Sequence, residues 1–71
     1  MNNYKLVTVY KRGNILEGKI FVNSRGGANP YFAEVNYKGD IRTSPSFYDE
    51  DLASEWIETK FNEVEIKNKG D

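Results

Sequence analysis

The sequence of residues 49–61, DEDLASEWIETKF, decides the fold of this chain. Its apolar side chains stand at i, i+1, i+4, i+5 and i+9, which is the spacing of one stripe along an α-helix. The three acids at residues 49–51 lie where the positive end of a helix dipole favours negative charge. Ser46 and Asp49 have the spacing of a capping box. The pattern therefore predicts an amphipathic helix that begins near Asp49 and ends near Asn62.

Strand-like alternation occupies the chain on either side of this helix. The predicted strands are Tyr4–Tyr10, Ile15–Val22, Tyr31–Tyr37 and Ile41–Thr43, separated by turns rich in Gly, Asn and Pro. After the helix, Val64 and Ile66 alternate with charged residues, which predicts one last short strand. The order β-β-β-β-α-β predicts an α+β fold with a single domain at residues 1–71. We expect a small, mostly antiparallel sheet with one amphipathic helix packed on one face.

A helix of this length covers one face of such a sheet and leaves the other open. The alternation predicts a core that consists of Val7, Val9, Leu16, Ile20, Val22, Ala33, Val35, Tyr37, Leu52, Trp56, Ile57 and Phe61. On the opposite face, the same alternation places Phe21 and Phe32. Two aromatic side chains on an uncovered face form an apolar patch, which is typical of an interaction site.

The composition excludes several kinds of site. The chain has no Cys and no His, so it offers no disulfide, no thiolate or imidazole ligand for zinc, and no imidazole base. Its Ser residues have no evident activating partner, and the Gly-rich stretch at residues 24–27 is not followed by the helix that a phosphate-binding loop requires. We expect no catalytic residue, metal, cofactor or small-molecule substrate. We read residues 24–27 as a flexible connection, for which the alternative is a mobile binding loop and not a catalytic one.

No apolar run approaches the roughly 20 residues of a membrane-spanning helix, and the N-terminus lacks the layout of a signal peptide. The expectation is a cytoplasmic protein that does not bind membranes.

Charge is divided between the two parts of the chain. Residues 1–45 carry seven Lys/Arg and three acids, a net +4, whereas residues 46–71 carry eight acids and three Lys, a net −5. We therefore expect a basic, aromatic sheet surface and an acidic helix surface, each suited to a different partner. The candidate partner-binding residues are Lys19, Phe21, Arg25, Phe32, Lys38 and Arg42. The candidate acidic helix face consists of Asp51, Glu55 and Glu58.

Part of the chain resembles the arm-type DNA-binding domains of tyrosine integrases. The resemblance rests on residues 37–42 (YKGDIR), Phe47 and the helix segment 53–57 (ASEWI). It implies a three-stranded sheet that enters the major groove, with a helix behind it. The basic half of the chain agrees with phosphate contact. Glu17 and Glu34 depart from such an interface, because both would lie on the DNA-facing side.

In size and layout the chain is also similar to small bacteriophage accessory proteins that bind host proteins. This resemblance implies a non-catalytic protein that binds a larger host protein in the host cytoplasm and inhibits or modulates it by occlusion. The alternative is a DNA-binding module that uses a basic three-stranded sheet. Either would act as a monomer or a homodimer, since exposed strand edges can pair two copies.

Overall fold

The computed structural model describes residues 3–69. Strands β1 (Tyr4–Arg12), β2 (Leu16–Asn23), β3 (Tyr31–Tyr37) and β4 (Asp40–Thr43) form one antiparallel sheet in the order β1-β2-β3-β4, and the helix α1 (Glu50–Lys69) follows them. Helix α1 packs on one face of the sheet, across β2 and β3. The prediction of a small α+β fold, with an antiparallel sheet and one helix on one face, is confirmed.

The last predicted strand is wrong, because Val64 and Ile66 lie in α1. Val64 stands seven residues after Ile57, so it continues the apolar stripe and packs against the core. Asn62 does not end the helix. Its side-chain oxygen accepts a hydrogen bond from Arg12 at 2.8 Å. The alternation of Val64 and Ile66 with charged residues therefore does not indicate a strand. The helical spacing of apolar residues continues through this segment.

Helix α1 begins one residue after Asp49, whose Oδ1 accepts the main-chain N–H of Asp51 at 2.9 Å. This contact makes Asp49 the N-cap residue. The capping box that the sequence predicted from Ser46 is therefore wrong, since Ser46 lies three residues before the cap and is exposed.

The turn between β3 and β4 contains only Lys38 and Gly39. Both have positive φ, 52° and 89° respectively, as a two-residue type I′ hairpin requires. Asn36 Oδ1 accepts the Gly39 N–H at 2.9 Å and holds the turn. The turn that the sequence predicts between the third and fourth strands is confirmed.

The core is a small cluster between α1 and the two central strands. Gly18 of β2 is buried beneath the helix, and a Cβ built there would lie only 2.6 Å from Ile57 Cγ2. The absence of a side chain at Gly18 therefore lets the helix approach the sheet closely. The buried hydrophobic residues are Leu16, Ile20, Ala33, Val35, Ala53, Ile57 and Phe61. The predicted core residues that are only half-buried are Val22, Tyr37, Leu52 and Trp56.

Val7 and Val9 were wrongly assigned to the core, since they are 39% and 43% exposed. The register of β1 against β2 shifts between Leu6 and Thr8, which leaves Val7 as the extra residue of a β-bulge. Because each residue of a strand faces the opposite side from its neighbours, the bulge reverses the faces of the rest of β1. Thr8 then points toward the helix and Val9 points away from it.

Polar side chains join β1 to α1. Thr8 Oγ1 donates a hydrogen bond to Glu50 Oε2 at 3.2 Å, and Ser54 Oγ donates to the Tyr10 hydroxyl at 3.2 Å. Arg12 completes this row of contacts near the far end of the helix. We call the row the polar seam. It explains the position of Val7 and Val9, because the helix side of β1 carries polar groups that pair with polar groups on α1.

Arg12 makes the most contacts in the polar seam. Its guanidinium lies 2.8 Å from Asn62 Oδ1, 3.0 Å from Glu65 Oε1 and 3.4 Å from Glu58 Oε1. It also stands over the Phe61 ring, 5.2 Å from the centroid. The guanidinium thus covers one edge of the apolar core while its charge stays paired at the surface.

Replacing Gly18 with Ala should destabilise the fold, because the new methyl group would overlap Ile57. We expect a loss of about 1–3 kcal/mol in the free energy of unfolding, measured by urea denaturation. The pair Gly18→Ala with Ile57→Ala should lose less than the sum of the two single changes, because the space left by Ile57 accepts the added methyl. Additive losses would contradict the close packing at this position.

Candidate functional site

The face of the sheet opposite α1 is the first candidate site, and we call it the outer face. Strand β2 presents Glu17, Lys19 and Phe21 there, because the alternate residues Leu16, Gly18 and Ile20 are buried beneath the helix. Strand β3 presents Phe32, Glu34 and Asn36 on the same side. Within residues 3–69, no helix or further strand packs on this face.

Three aromatic rings form a cluster at one end of the outer face. Phe21 and Phe32 are register partners whose rings stack at 5.0 Å with an interplanar angle of 17°. Tyr4 meets Phe32 edge-on at 4.8 Å and 85°. We call Tyr4, Phe21 and Phe32 the aromatic cluster. Leu6, the register partner of Phe21, extends the apolar surface and is 46% exposed.

The charges beside the aromatic cluster balance each other. Glu17 lies 3.8 Å from Lys19 Nζ and 3.9 Å from Lys11 Nζ. Lys19 is also the register partner of Glu34. Two Lys and two Glu thus lie close together on adjacent strands. The net positive charge of residues 1–45 does not produce a basic outer face.

The structure brings together only half of the predicted partner-binding residues. Lys19, Phe21 and Phe32 share the outer face, where Phe21 and Phe32 are half-buried against each other. Arg25 lies in the loop two residues after the end of β2, and its side chain is exposed.

The other two predicted cations also lie away from the outer face. Lys38 occupies the turn between β3 and β4, with its Nζ 5.4 Å from the centroid of the Tyr37 ring. Arg42 is the register partner of the buried Val35, so it lies on the helix side of the sheet, where it pairs with Asp40 at 3.4 Å.

The predicted acidic helix face is exposed but only partly open. Asp51, Glu55 and Glu58 all lie at the surface of α1. Glu58 is an ion-pair partner of Arg12 at 3.4 Å, so part of its charge is neutralised. Asp51 stands in the first turn, where negative charge favours the helix dipole. These contacts give Asp51 and Glu58 structural roles in addition to any role in binding.

Sequence reasoning missed a groove between β4 and α1. Trp56 was assigned to the core because it stands in the apolar stripe, but it is half-buried and forms one wall of a cavity of about 510 Å³. Lys60 Nζ lies 5.5 Å from the centroid of the Trp56 ring. We call this cavity the Trp56 groove. Its lining residues are Val35, Tyr37, Asp40, Arg42, Thr43, Trp56, Lys60, Glu63 and Val64.

One sequence signal for this groove was present. The predicted fourth strand is the shortest of the sheet, so it covers too little surface to bury an indole. Trp56 belongs to the apolar stripe of the helix and lies beside a short strand. This combination indicates an aromatic side chain that is only partly buried.

The described residues contain no group of three or more His, Cys, Asp or Glu side chains placed to hold a metal ion. In the same part of the chain, no helix is long and apolar enough to cross a membrane. Comparisons with protein-family models, with curated proteins and with solved structures found no match.

The aromatic cluster should contribute less to stability than the core does. We expect Phe32→Ala to cost about 1–2 kcal/mol, since the ring is half-buried and makes two aromatic contacts. Phe61→Ala should cost about 3–5 kcal/mol, because Phe61 lies in the core. Urea denaturation monitored by circular dichroism measures both. Equal losses would mean that the outer face is part of the core and is not a surface left for binding.

Proposed function

We propose that this domain is a non-catalytic binding protein that docks on a larger protein through its outer face and modulates it by covering part of its surface. The observation that carries this proposal is the aromatic cluster on a face that no described element covers. Exposed apolar patches of this kind mark interaction sites, and aromatic side chains are enriched among the residues that dominate binding energy.

The rigidity of the outer face supports this role. The aromatic cluster spans β1, β2 and β3, which are hydrogen-bonded to one another. Its rings also restrain each other, since Phe32 contacts both Tyr4 and Phe21. Such a surface loses little conformational entropy when it binds, and more of the contact energy remains as affinity.

The balanced charges favour a protein partner over nucleic acid. Lys11 and Lys19 are paired with Glu17, and Glu34 stands opposite Lys19. Alternating charges around an apolar centre suit the rim of a protein interface. Affinity for a nucleic acid depends instead on cations that together neutralise phosphates.

The experiment is a binding assay with the intact domain on a solid support. We expect it to retain one dominant partner from a bacterial lysate, and the isolated partner should then bind the free domain in solution. Phe21→Ser together with Phe32→Ser should abolish this binding, because the change removes the apolar centre of the outer face. Calorimetric titration of the purified partner measures the loss.

Tyr48→Ser is the matched control, because Tyr48 is 68% exposed and precedes α1 outside the sheet. This variant should bind as the unchanged domain does. Circular dichroism should show that both variants keep the same secondary structure. Full binding by the folded Phe21/Phe32 variant would overturn the choice of face.

The DNA-binding alternative has a separate test. Because Glu17 and Glu34 lie on the outer face and Arg42 lies on the helix side, we expect no shift of a duplex DNA fragment in a gel at low salt. A shift whose logarithmic salt dependence becomes weaker after Lys19→Ala, Lys38→Ala and Arg42→Ala would instead support DNA binding.

A further inference from the structure

The outer edge of β4 has main-chain groups that β3 does not use. The Ser44 N–H donates to the Ala33 carbonyl at 2.8 Å, which fixes the phase of the ladder between the two strands. In an antiparallel pair, hydrogen-bonded and non-hydrogen-bonded positions alternate. Arg42 therefore bonds to β3, whereas Ile41 and Thr43 direct their N–H and C=O groups away from it.

The two edges of the sheet differ. Strand β1 contains the bulge at Val7, and the polar seam connects β1 to α1 by side-chain hydrogen bonds. A bulge and edge lysines such as Lys5 and Lys11 are features that discourage the pairing of a further strand. Strand β4 keeps a regular register with β3, and the space between it and α1 is the Trp56 groove.

The lining of the Trp56 groove combines apolar residues with charged residues of both signs. Val35, Tyr37, Trp56 and Val64 supply its apolar surface. The lining also contains two ion pairs, Arg42 with Asp40 and Lys60 with Glu63, each at 3.4 Å. Its volume of about 510 Å³ lies within the range of ligand pockets, about 300–1,000 Å³. Such a groove suits bulky apolar side chains and favours neither charge sign.

We propose that β4 and the Trp56 groove bind an extended peptide segment of another protein, which adds to the sheet as a fifth strand. Ile41 and Thr43 supply the main-chain hydrogen bonds. Since alternate side chains of a strand point to the same face, every second residue of the peptide lies on the helix side, where a bulky apolar one contacts Trp56. Main-chain bonds supply affinity and the groove supplies specificity in this mode of recognition.

This second surface is separate from the proposed function. The Trp56 groove lies on the helix side of the sheet, whereas the aromatic cluster lies on the outer face. The two surfaces can therefore be tested independently, and the failure of one proposal leaves the other intact.

The probe is a displayed library of random twelve-residue peptides, selected on the intact domain. We expect enriched sequences in which bulky apolar residues occupy alternate positions. A synthetic copy of the enriched peptide should shift the fluorescence of Trp56, the only Trp of the chain, to shorter wavelength. It should also slow hydrogen exchange of the Ile41 and Thr43 amides by at least tenfold.

A pair of variants at Ile41 tests the main-chain contact. Ile41→Pro removes an N–H that points away from β3, so the sheet should stay intact while the affinity for the peptide falls about tenfold. Ile41→Thr keeps the N–H and is the matched control, with an affinity within about twofold of the unchanged domain. The exchange measurement on the unchanged domain does not depend on whether the Pro variant folds.

Three results would overturn the proposal. The first is a selection that enriches no peptide. The second is a bound peptide that leaves both Trp56 emission and the exchange of Ile41 unchanged. The third is a concentration-dependent dimer in which the Ile41 amide is protected without peptide, since the edge would then belong to a second copy. The Phe21→Ser and Phe32→Ser variant should bind the peptide normally, which separates this proposal from the proposed function.

Discussion

The structure depends on the close contact between Ile57 of α1 and Gly18 of β2. Because a side chain at Gly18 would overlap Ile57, its absence brings the helix against the middle of the sheet. Ile20 and Ala33 are fully buried beneath it. The position of the helix then decides which surfaces remain open. Helix α1 packs over β2 and β3 and covers one face of the sheet. Among the described residues, no element packs on the other face. The Trp56 groove lies between the helix and β4.

The parts of the fold that follow from periodicity could be predicted from the sequence. The alternation in β2 and β3, the Lys38-Gly39 turn and the apolar stripe of α1 are local patterns, and local patterns carry their own structural preference. The bulge at Val7 is different, because β1 is rich in apolar and β-branched residues at both odd and even positions. Which side chains of β1 face the helix therefore depends on polar partners in α1, 42 to 53 residues away in sequence.

The candidate site was only partly predictable for a related reason. Phe21 and Phe32 were placed correctly because each belongs to a regular strand, and their contact follows from the register. Counting charge along the chain could not place Arg42, whose face depends on how β4 pairs with β3. The same limit applies to Trp56. The position of Trp56 in the apolar stripe of α1 predicts that it faces the sheet. How far it is buried depends on the length of the neighbouring strand β4.

Two different kinds of contact attach the sheet to α1, and the polar seam is one of them. The central strands are held to α1 by buried apolar contacts, which dissolved ions hardly affect. On its helix side, β1 is held by exposed or half-exposed polar contacts, and Arg12 pairs with Glu58 and Glu65 at the surface. Such pairs weaken as ionic strength rises. The contacts between β1 and α1 are therefore the ones in this domain that weaken with added salt, whereas β1 also stays hydrogen-bonded to β2 along its length.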